Sequence, residues 1–199
     1  KLQQQAAALQ KENNTARYTA LQNQLNPHFL FNSLNTLISE IRYNPANAEL
    51  FTQHLSDVYR YTLQCQNQRL TTLREELDFL NSYVFLHRVR LGDCIYIDNR
   101  IPESCLEYQL PPLTIQLLAE NVIKHNVIHM GKPMTIELIY MEMEKELVVR
   151  NRIQAKKSAT AFGTGLKNLS ARYKLLCSRD IVIENDSQEF TVKIPLLYE

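Results

Sequence analysis

The sequence predicts an α+β protein in which a helical region precedes an α/β sandwich with helices on one face of a mixed sheet. Two observations support this fold class. Up to about residue 92 the apolar residues recur at helical spacing, whereas five later segments alternate or are β-branched, as strands are. A chain of 199 residues is long enough for one or two domains.

Three parts are expected along the chain. Residues 1–20 form a helical linker, whose weak heptad repeat fits a coiled coil and whose polar residues equally fit a frayed helix end. Residues 21–70 form a helical hairpin, and residues 71–199 form the sandwich. Since the chain begins on a polar stretch without methionine, we expect it to belong to a longer polypeptide, with any membrane segment upstream.

The hairpin is predicted from two helical segments. The first spans residues 21–41, with a bend at Pro27 because proline lacks a backbone donor, and with His28 facing away from the apolar stripe. An Asn-Pro pair at 44–45 ends it, and the second helix covers about 46–66. Such a hairpin has too little core alone, so we expect a homodimeric four-helix bundle. The expected core residues are Leu30, Leu34, Leu37, Ile41, Leu50, Leu55, Val58 and Leu63.

The sandwich is predicted from three helices and five strands. Thr72 and Glu75 form a capping-box pattern that begins the first of these helices, which ends near Gly92. The other helices cover about residues 113–128 and 166–177. The strands lie near residues 95–98, 134–140, 146–150, 181–184 and 190–194.

Composition excludes several classes of protein. A formal net charge of +1 provides no basic surface for direct nucleic acid binding. No apolar run reaches the roughly 18 to 20 residues of a membrane-spanning helix. The four cysteines are widely spaced, so we expect reduced thiols in a cytoplasmic protein, unless the fold brings two of them together.

His28 is the first candidate for chemistry. A neutral imidazole that is exposed to a donor can attack a phosphoryl group. Asn32, one helical turn later, can hydrogen-bond one ring nitrogen and leave the other free. By geometry alone, a plain surface histidine is the favoured interpretation of this position.

A second candidate is a polar edge on the helix at 113–128. It consists of Glu120, Asn121, Lys124 and His125. An asparagine oxygen can hold hydrated Mg²⁺, and a lysine or histidine one turn away can reach phosphate oxygens. A solvated face of an amphipathic helix is the alternative interpretation of this edge.

The third candidate is the glycine pair that opens the last helix. Gly163 and Gly165 flank Thr164 and precede Leu166. Close backbone approach and free amides at a helix start would cradle phosphates, although a simple loop-to-helix turn fits as well.

Together and in this order, these segments resemble the LytS-like (His_kinase) group of bacterial sensor kinases with a GHKL-type ATP-binding domain. Residues 22–37, QNQLNPHFLFNSLNTL, are similar to the phosphoacceptor box of that group. Residues 110–125, LPPLTIQLLAENVIKH, resemble its N box, and residues 163–173, GTGLKNLSARY, its final glycine box. Residues 74–92 resemble the helix that joins the two parts.

The resemblance implies a cytoplasmic kinase core of an inner-membrane sensor. His28 would be autophosphorylated by ATP-Mg²⁺ and would pass the phosphoryl group to an aspartate of a response regulator, usually of the LytTR type. Asn121 would be the magnesium ligand, and Glu120 would polarise the metal-bound water or the attacking histidine. Lys124, His125, Gly163, Thr164, Gly165 and Leu166 would line the phosphate side of the ATP site.

One departure from the family lies in the adenine pocket. The family carries D-x-G-x-G there, whereas this chain has VRNRIQA over residues 149–155. Asn151 takes the place of the aspartate, and its amide oxygen can accept the same hydrogen bond. After it, Lys156 and Lys157 would meet phosphate or solvent. The departure leaves open a degenerate pseudokinase that acts as a dimeric scaffold or regulator, and a non-kinase GHKL protein also stays open.

Overall fold

The computed structural model describes residues 26–156 and 164–198. The expected linker at residues 1–20, Lys157 and Gly163 lie outside the described residues. The chain forms two compact units that meet in sequence between Gln66 and Asn67. The assignment of these units to histidine phosphotransfer and to ATP binding stays a prediction.

The first unit contains the helical hairpin, and its first helix, α1 (Pro27–Tyr43), starts later than expected. Asn26 has a positive φ of 40° and is the amino-terminal cap, since its side chain accepts a hydrogen bond from Phe29 N at 3.2 Å. Pro27 is therefore the first residue of this helix rather than a bend inside it, and residues 21–25 of the expected helix lie outside the described residues. A proline is well accommodated there, because the first turn has no hydrogen-bond acceptor for its missing N–H.

The second helix, α2 (Pro45–Gln64), begins in the same way, with Asn44 as cap and proline first. The expected core residues Leu55 and Val58 are buried, but Leu50 and Leu63 are exposed. The apolar residues of α2 lie on two sides of the helix, and the expected core took residues from both sides. The buried stripe has a strict three-four spacing and consists of Ala48, Phe51, Leu55, Val58 and Thr62.

A stripe of exposed apolar side chains runs along α1. Phe31, Leu34, Ile38 and Ile41 are 66, 41, 53 and 57% exposed. Leu34 and Ile41 are therefore not covered within one chain, and their burial in the core of a dimeric bundle stays a prediction. Their spacing of three, four and three residues is the a/d pattern by which helices of separate chains pack together. We refer to these four residues as the apolar seam.

The second unit is a mixed five-stranded sheet with helices. Its helices are α3 (Leu73–Leu91), α4 (Thr114–His125) and α5 (Thr164–Cys177). The strands are β1 (Thr71–Thr72), β2 (Ile95–Arg100), β3 (Gln109–Leu110), β4 (Met134–Met141), β5 (Glu146–Arg152), β6 (Val182–Asn185) and β7 (Glu189–Pro195). The sheet has the order β2-β4-β5-β7-β6, and among these described strands only β2 and β4 pair in parallel, while β1 pairs separately with β3.

The core of this unit lies between one face of the sheet and the helices. Alternate residues of the central strands are buried, as the period of two requires for a face that is covered. The capping box that was expected at Thr72 and Glu75 is present at the start of α3. The predicted α+β fold, with helices packed on a mixed sheet, is confirmed. Buried residues include Leu138, Leu147, Val149, Val192 and Ile194 from the strands, and Leu80, Ile115, Leu118, Leu169 and Tyr173 from the helices.

Candidate functional site

His28 is the second residue of α1, and its side chain is exposed. Asn32 contacts it, as the helical spacing predicts, with Nδ2 at 3.3 Å from both Nδ1 and Nε2. Because one amide group faces both ring nitrogens, this contact orients the imidazole without selecting a tautomer. The ring therefore keeps an accessible nitrogen that can act as a nucleophile.

The face of α4 that carries Asn121 holds an unpaired polar group. Leu117, Asn121 and His125 follow each other at four-residue intervals, so they share one face of the helix. Asn121 Nδ2 is buried and has no hydrogen-bond partner among the described residues. A buried donor without a partner costs about 1–3 kcal/mol, so this position favours a ligand that brings an acceptor.

The start of α5 lies against this same face of α4. A Cβ added to Gly165 would lie 3.0 Å from Leu117 Cδ1, so glycine is the residue that permits this approach. The side chain of Leu166 is buried in the core, which leaves only its backbone to meet a ligand. Thr164 is exposed at the first helical position. Of the predicted glycine pair, therefore, Gly165 lies beside the helix that carries Asn121.

Glu120 is half-buried on α4, next to the side of α3 that carries Tyr83. Burial raises the pKa of the Glu120 carboxyl, and the positive charge of Lys124 opposes this shift. Burial and then the Glu120 charge raise the pKa of Tyr83. Glu120 is therefore a stronger base than an exposed glutamate, which suits proton acceptance or the polarisation of water.

Behind Tyr83, α3 carries a buried histidine. The rings of Tyr83 and His87 make an edge contact at 4.6 Å, and His87 Nδ1 lies 2.9 Å from Arg90 Nη2. Burial, followed by the Arg90 charge, lowers the pKa of His87 to about 3. His87 is thus neutral at physiological pH, and its role in α3 is one of packing.

At the carboxyl end of α4, His125 lies near two lysines, Lys124 and Lys156. Burial, then the charges of Lys124 and Lys156, lower the pKa of His125, so its ring is neutral near pH 7 and offers hydrogen bonds rather than charge. Lys156 Nζ donates to the carbonyls of Ile123 and Lys124, both at 3.0 Å. Lys156 therefore caps the last turn of α4. Lys124 stays exposed and is the cation available to a phosphate.

Asn126 and Gln154 connect α4 to the end of β5, and the sequence analysis missed both. Asn126 is buried, donates from Nδ2 to Val122 O at 2.9 Å and accepts from Gln154 N at 2.7 Å. Val127 N donates to Gln154 O at 2.7 Å. The available signal was an asparagine at the end of a predicted helix, where its side chain can satisfy backbone groups.

Asn151 lies near the end of β5 and is only 3% exposed. It occupies the same face of the sheet as Leu147 and Val149, three residues before Gln154. Its Nδ2 donates to Arg152 O at 2.7 Å. This bond uses one of the two amide hydrogens and orients the group, whose Oδ1 is an acceptor of the kind that an adenine amino group requires.

These residues fit ATP and magnesium. The orphaned Nδ2 of Asn121 can donate to a phosphate oxygen, while its Oδ1 can ligate a metal. Mg²⁺ commonly takes one or two protein oxygens together with substrate phosphates and water. The backbone at Gly165 approaches the same helix face, and Lys124 supplies positive charge. Asn121, Lys124, His125 and Gly165 would hold the triphosphate end, and Asn151 the base.

Comparison with known proteins points to one family. Residues 16–95 match the family model described as Histidine kinase. Sensor protein LytS of Staphylococcus haemolyticus (strain JCSC1435) is 32% identical over 172 residues, which cover 79% of this chain and 30% of that protein. Sensor histidine kinase YpdA of Escherichia coli (strain K12) is 35% identical over 122 residues, which cover 61% of this chain and 21% of that protein. Sensor histidine kinase BtsS of the same organism is 36% identical over 102 residues, which cover 51% of this chain and 18% of that protein.

The chain spans less than a third of the length of these relatives. Among the residues that the structure describes, no helix is both long and apolar enough to cross a membrane.

Proposed function

The chain is LytS-like, and on that premise we propose that it is the cytoplasmic kinase core of an inner-membrane sensor histidine kinase. In this function His28 accepts the γ-phosphoryl group of ATP and passes it to an aspartate of a response regulator, of the LytTR type. Two observations support the proposal: in the first unit His28 is exposed and oriented by Asn32, and in the second unit the buried Nδ2 of Asn121 has no hydrogen-bond partner among the described residues.

The first step is a displacement at the γ-phosphorus. The lone pair of the unprotonated ring nitrogen of His28 forms the N–P bond, and the β–γ P–O bond breaks with its electron pair passing to ADP. The other ring nitrogen keeps its proton. Since His28 is the second residue of α1, the new phosphoryl group lies at the amino-terminal end of the helix, where the helix dipole favours negative charge.

Each residue of the second unit has a role in that step. Asn121 binds the metal and a phosphate oxygen, and Lys124 and the backbone at Gly165 neutralise the triphosphate. When bound there, Mg²⁺ would supply positive charge that stabilises the phosphate oxygens during transfer. Glu120, with its raised pKa, polarises water beside Asn121. His125 contributes a neutral hydrogen bond.

Two copies of the chain form the working unit. The apolar seam of α1 has no cover within the hairpin, and its a/d spacing fits the same seam of a second chain. Two hairpins that pair in this way produce a four-helix bundle. This bundle leaves the His28 face, with Asn32, on the outside.

Labelling with γ-labelled ATP and Mg²⁺ tests the proposal. We expect wild-type protein to acquire an acid-labile, alkali-stable label, as a phosphorus bound to a histidine nitrogen is, and His28→Ala to lose it. His54→Ala, which removes a histidine from α2 of the same hairpin, is the matched control and should label normally. Undiminished labelling of His28→Ala would contradict the assignment of the acceptor.

The changed adenine pocket favours a second candidate, a pseudokinase that serves as a dimeric scaffold. Asn151 replaces the family's aspartate, and the glycines that follow it there are absent from this chain. A folded dimer that fails to bind ATP-Mg²⁺ at millimolar nucleotide would support this candidate over the kinase.

Base selection at Asn151 is a separate prediction. Because one Nδ2 hydrogen is donated to Arg152 O, the amide is held with Oδ1 as the acceptor for the adenine amino group, and the guanine carbonyl would face this acceptor rather than a donor. Asn151→Leu should therefore weaken ATP binding by about 10-fold, the value of one hydrogen bond, with little effect on GTP. Titration with ATP and with GTP measures the two affinities. Asn99→Leu, at an exposed position of β2, is the control. Equal losses for both nucleotides would indicate a general packing defect.

A further inference from the structure

The amino terminus of α4 has no capping side chain of its own. Its cap position is Leu113, which has a positive φ of 62° and offers no side-chain hydrogen bond. The first N–H groups of a helix have no acceptor within the helix and need one from elsewhere. Leucine cannot provide it, so another part of the chain must stabilise this end.

Glu76 of α3 provides the missing acceptor. Its Oε1 accepts from Leu113 N at 2.6 Å, and its Oε2 accepts from Ile115 N at 2.8 Å. The side chain is fully buried, with 0% exposure, and lies 37 residues before Leu113 in the chain. A carboxylate here satisfies two backbone donors and places negative charge at the positive end of the helix dipole.

The loop before α4 is held by a second element. Arg172 of α5 donates from Nη1 to Pro112 O at 2.9 Å. Thr114 Oγ1 donates to Pro111 O at 2.6 Å, which closes the turn itself. The entry into α4 is therefore fixed from both neighbouring helices.

The position of Asn121 depends on both ends of α4. Asn126 and Lys156 fix the carboxyl end, as described above. Asn121 lies six residues after Ile115, about 9 Å along the helix axis. Since a helix of this length moves as a rigid body, a displaced amino terminus would displace the Asn121 side chain as well.

We infer that Glu76 is a positioning residue of the nucleotide site, which acts by holding α4 so that Asn121 meets the metal and phosphates. The inference rests on the proposed function, since it assigns to Glu76 a role in ATP-Mg²⁺ binding. Glu76 is fully buried and both of its oxygens accept from backbone N–H groups of α4 and its cap, so it acts through the helix rather than by contact with nucleotide or metal.

The test is the affinity of the full chain for ATP-Mg²⁺ in Glu76→Gln. The amide keeps the shape of the side chain but turns an N–H₂ group toward a backbone N–H, so one bond is lost. We expect affinity to fall by about 10- to 100-fold, the usual cost of losing a residue that supports a ligand. The side-chain amide resonance of Asn121 should shift in the nucleotide-free protein.

The adjacent residue provides the matched control. Glu75 caps its own helix, α3, through Thr72 N at 3.0 Å and Thr71 Oγ1 at 2.6 Å. Glu75→Gln should lower the melting temperature and leave ATP affinity unchanged. Arg172→Met removes the bond to Pro112 from an exposed side chain, so it should fold and weaken ATP binding in the same direction as Glu76→Gln.

The outcomes separate this inference from the proposed function. Wild-type protein that binds ATP-Mg²⁺, with Glu76→Gln and Arg172→Met binding equally well, would overturn the inference alone. Equal weakening in Glu75→Gln and Glu76→Gln would overturn it too, because the effect would then be general destabilisation. Wild-type protein that fails to bind would overturn both. Selective weakening in Glu76→Gln, with a shifted Asn121 resonance, supports the inference.

Discussion

Replacing Asn121 by alanine is expected to abolish labelling of His28 by ATP while leaving the nucleotide-free protein as stable as wild type, or more so. The loss of labelling should reach at least about 100-fold, the typical cost of removing a group that stabilises charge in the transition state. The stability follows from the buried Nδ2, which has no partner and costs about 1–3 kcal/mol in the empty site. Labelling and a thermal melt measure the two effects.

The thermal melt with nucleotide gives an independent readout. Wild-type protein should melt at a higher temperature with ATP-Mg²⁺ because the ligand binds only the folded state, and Asn121→Ala should not respond. Asn126→Ala is the matched control five residues along the same region. Its amide is fully hydrogen-bonded, so removal should destabilise the protein by about 1–3 kcal/mol. Equal destabilisation by the two variants would contradict the assignment of Asn121 to a ligand.

The second large effect is expected at the apolar seam. Ile38→Lys should convert the dimer to monomer at tens of micromolar protein, as measured by light scattering. Burial of one such side chain contributes about 1.5–3 kcal/mol, and a symmetric dimer loses two copies of it. The dissociation constant should therefore rise by roughly 100-fold or more.

Ser39→Lys is the control for this variant, since it introduces the same charge one residue away on the exposed polar side of α1. It should remain dimeric. Helical circular dichroism checks that both variants fold. A wild-type chain that is monomeric at the same concentration, or an Ile38→Lys chain that stays dimeric, would show that the seam is not the dimer interface.

Much of this molecule could be predicted because its elements have clear periodicity. The capping box at Thr72, the apolar stripe of α3 and the alternating strands all act locally, within a few residues. The contact of Asn32 with His28 followed from helical spacing alone. Local patterns of this kind are the part of a fold that a single sequence reports directly.

The features that could not be predicted are those for which a local sequence pattern fits two different structures. Pro27 fitted both a helix interior with a bend and a first helical position, and the left-handed Asn26 decides between them. Leu50 and Leu63 were assigned to the core because an amphipathic helix does not reveal which of two apolar stripes is covered. Lys156 was assigned to phosphate or solvent, whereas it caps α4. The Glu76 contact joins residues 37 apart, which no spacing rule reaches.

The cap that Glu76 provides has a consequence for cutting and recombining the chain. The element that completes α4 comes from before residue 77, in the helix that directly follows the hairpin. A fragment that begins after Glu76 would still contain every residue that we propose for the nucleotide site but would leave α4 uncapped. Chimaeras that join another amino-terminal part to this second unit should therefore have their junction no later than Thr71. Glu76 then stays in the same chain as the helix α4 that it caps.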